Sequence, residues 1–170
     1  MKKILFTLTL GLGILTANAQ IQKLAGPRLG VTLITAGSTA DFIHEGFEYK
    51  GEDGSTGSAF VTQYGWQWES RFADGGGSVT GIVEWIALVG GMEQGKFLPS
   101  VSSVIGVRTS NGLEVGVGPN LSLSGIGMVF GIGHNFKSGN LNLPVNLVFM
   151  PGKDESGARI SLMVGFNMSK

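Results

Sequence analysis

The sequence predicts an all-β protein: a closed antiparallel up-and-down β-barrel of about eight strands, preceded by an N-terminal signal peptide. Apolar and polar residues alternate with period two in segments of about ten residues, separated by glycine- and asparagine-rich turns. Glycine makes up 29 of 170 residues and charged residues 14%, against roughly 7% and 25% in soluble domains. Such a chain either hides its surface from water or is disordered, and its regularly placed hydrophobic residues favour order.

Residues 1–19 have the organisation of a cleaved signal peptide. Lys2 and Lys3 form a short positive segment, which an apolar run and an Ala-Asn-Ala cleavage site follow. The apolar run, of about a dozen residues, is too short to cross a bilayer as a helix. We therefore expect export, a mature chain beginning at Gln20, and one barrel domain over residues 20–170.

Charge and cysteine content exclude several classes of protein. Cleavage removes Lys2 and Lys3, so that 10 of the 12 basic residues remain against 12 acidic ones, a net charge of −2. This balance lacks the basic footprint of a nucleic-acid-binding protein. The absence of cysteine excludes disulfides, thiolate metal sites and an acylated lipoprotein N-terminus.

Each expected strand has one apolar and one polar face. In the clearest segment, 113–123, Leu113 and Val115 begin an apolar face that opposes Glu114 and its polar neighbours. The segment 79–89 is apolar on both faces apart from Glu84. We expect strands at residues 29–35, 60–72, 79–89, 97–108, 113–123, 126–136, 141–149 and 160–168.

Short links between these segments predict a meander of antiparallel neighbours. Glycine and asparagine supply the positive φ values of tight hairpins, and a meander that closes on itself has no free edge. The link 36–58 is longer and acidic, and it leaves room for one helical turn near Ser38 to Glu45.

An alternating barrel is either a soluble carrier with an apolar interior or a membrane barrel with an apolar exterior. The polar face is largely glycine, serine and asparagine, which suits a narrow interior with room for at most a small water-filled cavity. All arginines lie on this face, whereas the mature lysines lie at turns, strand edges and termini, which favours the membrane barrel. We expect an interior polar network of Arg28, Arg71, Arg108, Arg159, Glu69, Glu84 and Glu114.

Aromatic residues are expected at two heights, as membrane barrels have them. If the first strand starts in the periplasm, one girdle lies on the outer side and another on the periplasmic side. The outer girdle comprises Phe60, Phe97 and Phe149, and the periplasmic girdle comprises Phe72, Phe136 and Phe166.

From residue 27 to the C-terminus the chain resembles small outer-membrane β-barrel proteins of the OmpA/OmpX type and related envelope barrels. The resemblance rests on the meander and on the closing segment Ala158 to Met168, which looks like the C-terminal signal read by the barrel-assembly machinery. It departs from the usual pattern because four residues follow Phe166. We expect a monomer surrounded by outer-membrane lipid. The acidic loop 36–58 is the only sizeable surface that the sequence offers to a partner.

No constellation of residues predicts catalysis, cofactor binding or a metal site. His44 and His134 lack companion ligands at metal spacing, and the carboxylates are better explained as arginine partners than as an acid/base pair. The charged interior is a gate or proton path or, as we favour, a salt-bridged plug. The predicted function is a non-enzymatic outer-membrane barrel with a structural or surface-interaction role. The alternatives are a soluble periplasmic lipocalin-like carrier of an apolar ligand and a narrow, porin-like outer-membrane channel.

Overall fold

The computed structural model describes residues 23–45, 57–74, 77–153 and 155–169. The predicted signal peptide lies outside these residues, as does the middle of the 36–58 link. No helix in the described ranges combines the length and the apolar character needed to cross a bilayer.

The described chain forms one closed antiparallel barrel, which confirms the predicted fold class. Each strand pairs with the next in sequence, and β1 closes the barrel by pairing with both β2 and β8. β9 continues β8 beyond Phe166 in the same register, so the barrel has eight strand positions. The elements are β1 (Lys23–Ile34), α1 (Ser38–His44), β2 (Ala59–Asp74), β3 (Val79–Gly90), a 3-10 turn (Met92–Gln94), β4 (Leu98–Thr109), β5 (Leu113–Ser122), β6 (Gly125–Ser138), β7 (Leu141–Met150), β8 (Arg159–Gly165) and β9 (Asn167–Ser169).

The expected start of the first strand at Leu29 is wrong, because β1 begins at Lys23. Its added residues pair with the end of β2, from Lys23 opposite Ser70 onward. The outward positions there are Lys23, Ala25 and Pro27. One is charged and two are only weakly apolar, so the alternation is hard to see in the sequence. Closure of the barrel, rather than local pattern, extends this strand.

The two ends of the barrel differ. The turn end carries the short links β2–β3, β4–β5 and β6–β7, whereas the helix end carries α1 and the links β3–β4, β5–β6 and β7–β8. The helical turn for which the sequence left room is α1, and it folds against the opening. Ala40 and Ile43 are fully buried against Ile34, Ala59 and Val61. These apolar contacts fasten the helix to the barrel wall.

Candidate functional site

The outer surface of the barrel is a belt of apolar side chains. Inward and outward residues alternate along the strands, and the outward ones are large and hydrophobic. Ile105 in β4 is 59% exposed and Ile132 in β6 is 51% exposed. Water-soluble monomers rarely expose contiguous apolar patches of more than a few hundred Å². The apolar faces of the strands therefore point outward, as the membrane interpretation of the sequence expects.

Aromatic side chains belong to this outer surface. The structure places Phe60 and Phe149 toward the helix end, with Phe97 in the link just before β4 rather than inside it. At the turn end it places Phe72, Phe136 and Phe166, and all six side chains are exposed. The tryptophans face outward near the middle of β2 and β3, where Trp68 lies opposite Trp85 with Trp66 beside them.

Arg108 is the centre of a buried ionic network inside the turn-end half of the barrel. Its Nη1 and Nη2 each donate to a carboxylate oxygen of Glu69 at 2.6 Å, and its Nε donates to Glu114 at 2.5 Å. The side chains are 7%, 0% and 5% exposed, respectively. Glu114 lies opposite Arg108 in the β4–β5 register, whereas Glu69 lies on β2, two strand positions from β4. Asn146 Nδ2 donates to the second oxygen of Glu114 at 3.3 Å.

A second branch of the network runs through Gln67, which the sequence analysis did not select. Arg28 donates through Nε to Gln67 Oε1, and Gln67 Nε2 donates to Glu84 at 2.5 Å. Arg28 is thus linked to Glu84 through an amide and not directly. The only signal for Gln67 in the sequence is its polar position between two outward tryptophans. Arg71 lies 3.6 Å from Glu69 through its Nε.

Arg159 does not join the carboxylates, so the expected single network divides in two. It lies at the helix end, in register with Ile34 and Met150. Its guanidinium donates to Ser122 Oγ at 3.2 Å, to Thr39 Oγ1 at 3.4 Å and to Ser124 Oγ. Among the described residues no carboxylate forms a salt bridge with it. Arg159 is separated from the glutamates along the barrel, because their side chains point inward closer to the turn end.

An interior cavity of about 140 Å³ lies between these two polar regions. Its floor is formed by Arg28, Glu84 and Glu114, and its rim includes Arg159 and Thr39 of α1. The wall between floor and rim is largely apolar. It includes the buried side chains of Ile34, Val61, Ile82, Val104, Val129 and Met163.

Two features of the sequence produce this cavity. The inner face of β3 is apolar toward the helix end, where Ile86 and Leu88 line the cavity beyond Ile82, which explains why the segment 79–89 is apolar on both faces. Gly116 lies opposite Gly106 on one side and Gly131 on the other, which leaves part of the wall without side chains. Small polar residues such as Ser102, Asn120 and Ser161 do line the upper part of the interior, as expected, but apolar side chains that the sequence analysis did not expect lie among them.

The histidines take no part in these polar regions. His44 ends α1, and its Nε2 lies 3.3 Å from the carbonyl oxygen of Ser58. His134 faces outward, with its ring centroid 4.4 Å from that of Phe136. Within the described ranges, no group of three or more His, Asp or Glu side chains is arranged to hold a metal ion.

No protein-family model matches the chain, and no curated protein sequence matches it. Several solved β-barrel structures have a strand arrangement similar to that of this chain, at low sequence identity. Neisserial surface protein A is 13% identical. The match covers 86% of this chain and 97% of that protein, with a TM-score of 0.48. A de novo designed transmembrane β-barrel is 14% identical over 86% of this chain and 96% of its own, with a TM-score of 0.43. The attachment invasion locus protein Ail of Yersinia pestis is 11% identical. The match covers 86% of this chain and 98% of Ail, with a TM-score of 0.28.

Strand pairing in the chain itself establishes its architecture: a closed eight-stranded up-and-down barrel of the kind seen in small outer-membrane barrels.

Proposed function

We propose that the chain is a non-enzymatic β-barrel that spans the outer membrane of a Gram-negative envelope and has a structural or surface-interaction role. The observation that carries this proposal is the outward belt of apolar side chains on the strands of the barrel. In the hydrocarbon core only closed barrels and helices satisfy every backbone hydrogen bond internally. A closed barrel with an apolar exterior meets both requirements of that environment.

The ionic network supports a structural role over conduction. Arg108, Glu69 and Glu114 are buried, and Arg108 hydrogen-bonds to both carboxylates inside the barrel near the turn end. Charges held this tightly fill the bore of an eight-stranded barrel, whose interior is only wide enough for side chains. The network thus acts as a plug that ties together β2, β4 and β5 inside the barrel.

The helix end is the surface proposed for a partner. The acidic loop 36–58 begins there with α1, on which Phe42 is 45% exposed. Lys96 fastens α1 to the β3–β4 link, because its Nζ lies 4.5 Å from the ring centroid of Phe42 and 4.0 Å from Glu45. A helix held in this way presents a constant surface beside the loop. For assembly, the segment Ala158 to Met168 offers the barrel-assembly machinery outward Ile160 and Phe166.

The membrane proposal is tested by placing one charge at two depths of the belt. Val117 faces outward at the middle of β5, whereas Leu123 faces outward at the rim of the helix end. Val117→Arg is expected to lower the free energy of unfolding in lipid by about 2–4 kcal/mol, and Leu123→Arg by at most about 1 kcal/mol. Equal effects of the two substitutions would contradict a belt that contacts lipid.

Localisation is tested on the wild-type chain. We expect the protein in carbonate-washed outer membranes, with different gel mobility before and after boiling. In vesicles, Trp66, Trp68 and Trp85 should be quenched by lipids brominated near the middle of the acyl chain, since all three face outward near mid-strand. Release of the protein into the soluble periplasmic fraction would instead favour the carrier alternative.

A further inference from the structure

Most of the surface of the interior cavity is apolar. Polar side chains that also line it, such as Thr32, Gln63 and Ser161, already hydrogen-bond to one another. Val104, Val129 and Met163 are all less than 9% exposed and line it from three different strands. Water occupies cavities that offer it several polar partners, whereas an apolar cavity of about 150 Å³ stays dry and binds benzene. At about 140 Å³, this cavity therefore suits a hydrocarbon group of about six carbons.

The rim supplies a cation that lacks a carboxylate partner among the described residues. Arg159 is surrounded by the hydroxyl groups of Thr39, Ser122 and Ser124, whereas Arg108 on the floor side holds two glutamates. Hydroxyl oxygens satisfy the donors of a guanidinium but carry no opposite charge, and the described residues place no carboxylate at Arg159. Arginine forms its strongest contacts with carboxylates and phosphates, so this position favours an anionic group at the rim.

An unused acceptor lies close to the same rim. Asn120 is 4% exposed and lines the cavity two residues before Ser122. Its Nδ2 donates to Ser102 Oγ at 2.9 Å, but its Oδ1 accepts no hydrogen bond from the described residues. Buried side-chain acceptors are normally satisfied, and a water or hydroxyl accompanying an anionic head would satisfy this one.

We infer that the interior cavity binds a small amphiphile whose hydrocarbon part has about six carbons and whose head is a carboxylate. The hydrocarbon part contacts the apolar wall, and the carboxylate lies at Arg159. The floor disfavours the opposite direction, because its lining cation, Arg28, already donates to Gln67 Oε1 and to the carbonyl oxygen of Pro144. Glu84 and Glu114 lie beside Arg28 on the floor and would repel a further carboxylate. The closed floor also limits the length of the chain that fits. This binding function goes beyond the structural role proposed above.

The test uses the full barrel in lipid nanodiscs, with isotope-labelled isoleucine, valine and methionine methyl groups, titrated with octanoate. Saturable shifts are expected at the inward Ile82, Val129 and Met163, and not at the outward Ile105 and Val117. From butanoate to octanoate, affinity should rise about fourfold per added methylene and then level off. Absence of saturable inward shifts, or equal shifts inside and outside, would overturn the inference.

Variants test the two ends of the ligand separately. Arg159→Gln should weaken octanoate binding about tenfold to a hundredfold while leaving octanol binding unchanged. Val129→Phe should abolish binding, whereas Val117→Phe makes the same substitution on the lipid face and should not. If Val129→Phe does not fold, Gly131→Leu replaces it, because a Cβ at Gly131 would have its nearest neighbour at 3.9 Å. Equal binding of octanoate by wild type and Arg159→Gln would refute the anionic head.

Discussion

Removal of the Arg108 side chain is the most direct test of the ionic plug. Arg108→Ala deletes three charge-assisted hydrogen bonds, two to Glu69 and one to Glu114. Both carboxylates keep their burial, since Glu69 is 0% and Glu114 5% exposed at the side chain. Glu69 retains a more distant contact with Arg71 at 3.6 Å, and Glu114 retains Asn146 at 3.3 Å.

The expected magnitude follows from these remaining contacts. Removing one partner of a buried ion pair typically lowers the free energy of unfolding by about 3–5 kcal/mol, because an uncompensated charge is left in the interior. Two carboxylates are affected here, but both keep one polar neighbour, which offsets part of the loss. We expect Arg108→Ala to lower the free energy of unfolding by about 3–5 kcal/mol in total.

The assay is urea-induced unfolding in lipid vesicles, followed by tryptophan fluorescence and by gel mobility without boiling. Lys137→Ala is the matched control, because it removes an exposed cation near the turn end of β6 and should change stability by less than about 0.5 kcal/mol. The double variant Arg108→Ala with Glu114→Gln should be more stable than Arg108→Ala alone, since one buried charge is then removed.

A loss of less than about 1 kcal/mol in Arg108→Ala would refute the reasoning. Such a small effect would mean that water screens the carboxylates, as in an open pore. The same variant should show no ion conductance beyond that of the wild type in planar bilayers, because Arg28, Gln67 and Glu84 still occupy the lumen. A new selective conductance with unchanged stability would favour the channel alternative.

Further substitutions test the wall, a surface loop and the helix. Gly118→Ala should strongly destabilise the barrel, because its Cβ would overlap a carbonyl oxygen of β4, whereas Gly131→Ala has open space and should change heat stability little. Slight burial raises the pKa of Glu93, but hydrogen bonds from the Thr62 hydroxyl and amide outweigh it and lower the pKa overall. This contact should therefore stabilise the β3–β4 link above the unfolded-state pKa of about 4.3 and be lost as the pH falls through the lower folded value, which amide exchange at Thr62 would measure. Ile43→Ala should cost about 2–5 kcal/mol in the docking of α1, detected as faster amide exchange in α1 while the strands stay protected.

The proportion of the structure that could be predicted differs between the outer and the inner face. On the outside, alternation in β5 and β6 identifies residues such as Val117 and Ile132 as one face, because side chains on a strand alternate strictly. On the inside, side chains from strands that are not paired with each other meet in the barrel interior, as Arg108 of β4 and Glu69 of β2 do. The contact of Arg108 with Glu69 and the bridging position of Gln67 depend on strand stagger, which no local pattern contains.

The sequence by itself determined the number of strands and their antiparallel order, because period-two patterning and tight turns act locally. The outward direction of the apolar faces was indicated by the small polar residues and arginines of the opposite face. Tertiary structure alone decided the start of β1 at Lys23, the separation of Arg159 from the glutamates and the apolar cavity behind α1. Closure of the barrel brings together residues more than a hundred positions apart, such as Arg159 and Thr39. The relative height of each inward side chain, and hence its partner, is set by that closure rather than by its neighbours along the chain.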